Sequence, residues 1–125
     1  MNVMVFGFFD GLHSDHEEFL RAARIFGDRV SAVVLQDHVV RELKGALPAN
    51  NFTARFEELQ KNDRVDEVLI GDPAFGVLSA IKKHAPDIVV FGSRQHALRR
   101  DFEKNAHRLK QPPVVRTVVV QDPHL

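Results

Sequence analysis

The segment Gly7-Phe8-Phe9-Asp10-Gly11-Leu12-His13-Ser14-Asp15-His16 concentrates the residues of this 125-residue chain that could do chemistry. Two imidazoles three positions apart stand one above the other on a helix, so both can aim ring N–H groups at the same oxygens. A glycine-bearing turn that opens a helix also leaves main-chain N–H groups free, and the positive end of the helix dipole favours an anion there. A phosphate, and a triphosphate above all, suits that arrangement. Two other chemistries use the same residues. Asp15 can cap the helix while both histidines sit on the surface, or His13 and His16 can ligate a metal ion, which would need further carboxylate or imidazole ligands. Spacing alone leaves the three open.

The elements that would present this segment follow from the apolar pattern. Val3 to Phe6, Val30 to Leu35, Val65 to Ile70, Ile88 to Phe91 and Val114 to Val120 are short runs rich in β-branched residues, as expected of strands buried on both faces in a parallel sheet. Between them, His16 to Phe26 places Phe19, Leu20, Ala23 and Phe26 at helical spacing and stops at Gly27-Asp28. Arg55 to Asn62 and Phe75 to His84 read as helices, the second stopped by Pro86, and Leu98 to Leu109 reads as a more polar helix closed by Pro112-Pro113. The alternation predicts right-handed crossovers and an α/β, Rossmann-like open five-stranded parallel sheet with helices on both faces. Such sheets bind ligands outside the carboxyl ends of their strands, where residues 7–16 would lie. Arg41 to Asn51, with Gly45 and Pro48, has no convincing period and is expected to form a loop over that edge. Nothing divides the chain, so residues 1–125 are expected to form a single domain.

Composition excludes several classes. Lys plus Arg equals Asp plus Glu at 17 each, which removes the basic excess that non-specific nucleic-acid binding needs. No cysteine is present, so disulfides, thiolate nucleophiles and Cys-ligated zinc are out. The start MNVMVFGFFDG has no basic n-region, and no apolar run approaches the roughly 20 residues a bilayer requires. The expectation is a soluble cytoplasmic protein without membrane or nucleic-acid partners. Residues 94–110 hold six Lys or Arg against Asp101 and Glu103, either a solvated helix face or a source of extra phosphate contacts.

Gly7, Phe9, Asp10, His13 and His16 match G-x-F-D-x-x-H-x-G-H, and the chain thereby resembles the cytidylyltransferase-like nucleotidyltransferases. The match continues through Gly27-Asp28, Asp37, Lys44-Gly45, Arg55, Val65-Asp66-Glu67-Val68 and Pro86-Asp87-Ile88-Val89-Val90-Phe91-Gly92, about residues 1 to 105. It is most similar to glycerol-3-phosphate cytidylyltransferases and archaeal-type FAD synthases. The resemblance implies strand order 3-2-1-4-5, with Gly7, His13, His16 and Gly92 converging at the carboxyl edge. It also implies a reaction in which an acceptor phosphate attacks the α-phosphate of CTP or ATP in line and pyrophosphate leaves. His13, His16 and Lys44 would be catalytic, the histidines stabilising charge on the α-phosphate and Lys44 swinging in against the phosphates. Gly7, Phe8, Phe9 and Asp10 would hold the nucleotide, with Gly92, Ser93, Arg94 and Gln95 near base and ribose. Asp37 and Arg55 would bind the acceptor, Arg55 reaching acceptor or triphosphate oxygens. Mg2+ would accompany the triphosphate, no side chain being assigned as its ligand, and a homodimer is expected.

Of the two acceptors, glycerol 3-phosphate with CTP is the first expectation and FMN with ATP the alternative. Three departures from the family pattern add a different-class alternative, a catalytically impaired nucleotide-binding or interaction module. The signature glycine between the histidines is Asp15, the fourth strand is followed by Ser93-Arg94-Gln95 without an acid, and Asp122-Pro123-His124-Leu125 stands where a Ser/Thr-rich motif is expected.

Overall fold

Strand β1 (Asn2–Gly7) sends Val3 and Val5 to one side of the sheet and Met4 and Phe6 to the other, and both sides are covered, because successive Cβ atoms alternate across a strand. The computed structural model describes residues 1–125. Its other strands are β2 (Arg29–Val34), β3 (Glu67–Ile70), β4 (Ile88–Gly92) and β5 (Val114–Val118). All pair in parallel, in the order β3-β2-β1-β4-β5. Helices α1 (Ser14–Arg24) and α3 (Phe52–Gln60) bury Phe19, Leu20, Ala23 and Leu59 against Val3, Val5, Val30 and Val90. Helices α4 (Ser79–His84) and α5 (His96–Asn105) cover the opposite face, where Ile81 and Phe102 meet Met4, Val89 and Phe91. The expected Rossmann-like fold and strand order are both present, and the topological switch falls between β1 and β4.

Three expectations change. The stretch from Arg41 is helical as far as Lys44, the end of α2 (Asp37–Lys44), because Val39, Val40 and Leu43 form one apolar patch against Phe8 and Leu35. Eight residues with three apolar positions were too short to show a period, and Gly45 stops the helix at a φ of 82° that other residues adopt at a cost. Helix α4 begins only at Ser79, because Leu78 stands in the left-handed region at a φ of 56° and residues 71–78 form a loop. Burial on both faces holds for β1, β2 and β4, whereas β3 and β5 lie at the sheet edges and are half-exposed. No helix is long and apolar enough to cross a membrane.

Candidate functional site

Gly7 ends β1, and the next two peptides turn their N–H groups outward past the strand. The N–H groups of Phe8 and Phe9 both donate to the main-chain oxygen of Leu125, each at 2.8 Å. His16 Nε2 reaches the same oxygen at 3.2 Å. Three donors thus converge on one oxygen at the carboxyl end of β1. Gly7 has no room for a side chain, since a Cβ there would stand 2.9 Å from that oxygen and 3.0 Å from the Phe9 ring. Phe9 holds a φ of 51°, a left-handed conformation that costs a non-glycine residue on the order of 1–2 kcal/mol. Its fully buried ring, 5.8 Å from that of His16, fixes the turn in place.

The two histidines are ordered by one capping arrangement. His13 is the cap of α1: its Nδ1 accepts the Asp15 N–H at 3.2 Å, while its own N–H donates to His16 Nδ1 at 3.3 Å. With both Nδ1 atoms accepting, the hydrogen-bond pattern assigns the ring protons to Nε2. His16 Nε2–H then donates to Leu125, and His13 Nε2–H donates to Asp122 Oδ2 at 2.9 Å. Burial, and next the charge of His13, lower the His16 pKa, the Leu125 contact opposing them. His16 is therefore a neutral donor near pH 7. Burial alone would raise the Asp122 pKa, but the His124 N–H and the His13 ring bring it below the usual value.

The oxygens of His13's neighbours make a small acidic cluster. Ligand atoms of His13, Asp15 and Asp122 lie within 4.8 Å of one another. Asp15 does not cap the helix with its side chain; that part belongs to His13, and the Asp15 carboxylate sits beside the histidine instead. His16 takes no part in the cluster, so the His13 and His16 pair does not form a metal site with it.

Asp10, Asp37, Lys44 and Arg55 gather around α2 and the loop that follows it. Asp10 accepts from Ala49 N–H at 2.7 Å and from Asn50 N–H and Nδ2 at 2.9 Å each, tying down the loop after α2. Burial would raise its pKa, but those hydrogen bonds and the charge of Lys44 hold it below the usual value. Arg55 was expected to meet acceptor or triphosphate oxygens; it is fully buried under the site, donating to Asn50 O at 3.0 Å, Phe8 O at 2.7 Å and Asp37 Oδ1 at 2.7 Å. Asp37 opens α2 with its carboxylate committed to that arginine.

Gly92 to Gln95 reaches the same edge from β4. Gln95 accepts the Gly92 N–H through Oε1 at 2.9 Å and donates to Phe6 O at 2.8 Å, bridging β4 and β1. Ser93 and Arg94 hold the returning segment after β5: Ser93 Oγ accepts the Val120 N–H at 3.0 Å, and Arg94 donates to Gln121 O at 2.8 Å. A cleft of about 100 Å³ with a mixed polar and apolar lining lies here, formed by Phe8, Leu43, Arg94 to Leu98 and Pro123 to Leu125. The structure thus brings Gly7, Phe8, His13, His16 and Gly92 to Gln95 around one edge. Asp122, His124 and the Leu125 oxygen, none of them a sequence candidate, join them; His124 stacks on Phe8 with ring centroids 6.2 Å apart.

Comparison with known proteins bears on this edge directly. A family profile described as cytidylyltransferase-like matches residues 4–123. An FAD synthase of Thermococcus sibiricus is 35% identical over 119 residues, covering 90% of this chain and 80% of that one. An FAD synthase of Pyrococcus abyssi is 39% identical over 95 residues, covering 76% of this chain and 64% of its own length. Among solved structures, a lipopolysaccharide core biosynthesis protein of Thermoplasma volcanium superposes with a TM-score of 0.87 over 98% of both chains at 23% identity, which establishes the shared fold.

Proposed function

This chain belongs to the cytidylyltransferase-like family, and from that premise we propose that it transfers the AMP group of ATP to the phosphate of FMN, releasing pyrophosphate. The observation that carries the reading is the convergence of Phe8 N–H, Phe9 N–H and His16 Nε2 on one oxygen. A non-bridging oxygen of the α-phosphate would take that place once the Leu125 oxygen withdraws. An FMN phosphate oxygen then forms a bond to the α-phosphorus while the bond to the β-phosphate breaks, and pyrophosphate departs with the electron pair. Three fixed donors stabilise the charge that develops on the α-phosphate, and they need no reorganisation to do so. The donor chemistry around His13 also fits magnesium: Asp15 and Asp122 supply hard oxygen ligands, whereas His13 presents a proton. Bound with the triphosphate, the ion would neutralise its charge.

FMN with ATP is preferred to glycerol 3-phosphate with CTP because the similar proteins are FAD synthases. A pyrophosphate-release assay pairing ATP or CTP with FMN or glycerol 3-phosphate tests the choice. Release with ATP and FMN alone, with FAD as the coupled product, is the expected result; release only with CTP and glycerol 3-phosphate overturns it.

A second reading, an impaired nucleotide-binding module, is favoured by Asp15, whose carboxylate flanks His13 beside the proposed phosphate position. Like charges about 4 Å apart cost roughly 1 kcal/mol at the screened limit. If Asp15 repels the triphosphate, Asp15→Gly binds ATP about five-fold more tightly in calorimetric titration; if Asp15 holds magnesium instead, Asp15→Gly binds no more tightly. Nucleotide binding by neither protein would overturn both readings and favour an interaction module.

A further inference from the structure

We propose that the apolar cleft on the α4–α5 face of the carboxyl edge takes the isoalloxazine ring of the acceptor, an inference that rests on the FMN reading. The enclosed part of the cleft is about 50 Å³, so a ring would lie across its open mouth and displace the Phe75 loop, and ten of its twelve lining residues are hydrophobic. Phe6, Leu35, Phe75, Phe91, Leu98 and Phe102 form its walls. Its position is dictated by the strands: Phe6 is in β1, Leu35 follows β2, Phe75 follows β3 and Phe91 is in β4, so the cleft opens where an α/β sheet binds its ligands.

Chemistry selects the occupant. A triphosphate or a phospho-polyol has no apolar face to place among four phenylalanines, whereas a flat tricyclic ring has two. Phe75, which lines the cleft, stays 37% exposed, although the loop that carries it is anchored. Asp101 accepts the Gly76 N–H at 3.0 Å, Asp72 Oδ2 accepts the Ser79 N–H at 2.9 Å, and His38 contacts Pro73 O. Asp72 keeps Oδ1 to accept the imide N–H of the ring's polar edge.

Continuity with the phosphate-binding edge supplies the remaining argument. Leu98 lines both this cleft and the neighbouring mixed cleft formed by Arg94 to Ala97 and Leu125. FMN carries its phosphate and its ring at opposite ends of a flexible ribityl chain. With the ring on one side of Leu98, that chain can pass the leucine and bring the phosphate towards the three converging donors.

Riboflavin and FMN fluorescence titrations without ATP, together with steady-state kinetics with ATP and FMN, test the assignment on the intact protein. Quenching of both flavins is expected, because the ring binds through its own contacts. Phe75→Ala should raise the flavin Kd and the FMN KM about five-fold or more, the size of one stacked ring, with kcat and the ATP KM unchanged; Phe75→Tyr should restore both. Ala74→Trp, a substitution at an exposed position lining the cleft, should obstruct it with the same signature. Adenylylation of FMN with both Phe75→Ala and Ala74→Trp at wild-type FMN KM would overturn the ring site and leave the FMN reading intact. Riboflavin binding that depends on Phe75 without FAD formation would keep the ring site and overturn the reaction. No flavin binding by the wild-type protein would overturn the ring site outright.

Discussion

Arg55→Met is expected to destabilise the fold by about 3 kcal/mol, since removing one partner from a buried, hydrogen-bonded charge leaves its acceptors unpaired. Arg55 is fully buried and serves three oxygens on three separate pieces of chain: Phe8 after β1, Asp37 at the start of α2, and Asn50 in the following loop. Asp37 has 39% of its side chain exposed, so water can replace the lost contact there and the cost falls mainly on the Phe8 and Asn50 carbonyls. Methionine keeps the apolar stem and returns part of the loss. Three kcal/mol is still a large share of the roughly 5–15 kcal/mol that holds a domain together. Urea denaturation reads the effect as a lower midpoint at unchanged slope; a shift worth less than about 1 kcal/mol would mean the three oxygens find other partners.

The same contact bears on the chemistry. In the Phe8–Phe9 peptide the C=O points towards Arg55 and the N–H, on the opposite side, points into the donor cluster. Arg55 thus orients that donor from the buried side, and in the proposed reaction it is expected to act as a positioning residue. Asp10 does the equivalent for the loop at residues 49–50, from the exposed side.

Much of this was legible in the sequence, and the reasons for the rest are specific. β1, β2 and β4 were visible because a strand covered on both faces is apolar nearly throughout, and Val3 to Phe6, Ile88 to Phe91 and, apart from the small Ser31, Val30 to Leu35 are. β3 and β5 keep only part of that signal, since edge strands answer to solvent on one side. Helix α2 was missed from Asp37 to Lys44 because its three apolar residues pack on Phe8 and Leu35, partners that only the fold supplies. The burial of Arg55 has the same origin: a charge can be buried only when the chain delivers its acceptors, and these come from positions 8, 37 and 50. His13 and His16 were found by spacing, but the oxygen on which His16 converges belongs to the main chain of Leu125, and a main-chain atom leaves no mark in the residue types. The apolar cleft escaped for a related reason, because Phe6, Phe75, Phe91 and Phe102 lie far apart in the chain and only the fold brings them together.

His16→Ala is expected to reduce kcat with ATP and acceptor by about 10²- to 10³-fold, the loss found when one preorganised donor is removed from a site of developing negative charge. The donor is already in place: Nε2–H is fixed by the acceptance of the His13 N–H at Nδ1 and aimed at the oxygen that the two main-chain N–H groups share. Burial keeps the ring neutral, so its contribution near pH 7 is a hydrogen bond to the phosphate, with no net charge to draw the nucleotide in. The ATP KM should therefore move much less than kcat. His16 also fills space against Phe9, and alanine would leave a void; His16→Gln, which retains an amide N–H at the same reach, separates the two effects. Recovery of a substantial part of kcat by glutamine, with urea midpoints of the two variants alike, assigns the loss to the donor. A fall of less than ten-fold in His16→Ala would instead mean that Phe8 and Phe9 hold the phosphate unaided, and that His16 serves the turn rather than the reaction.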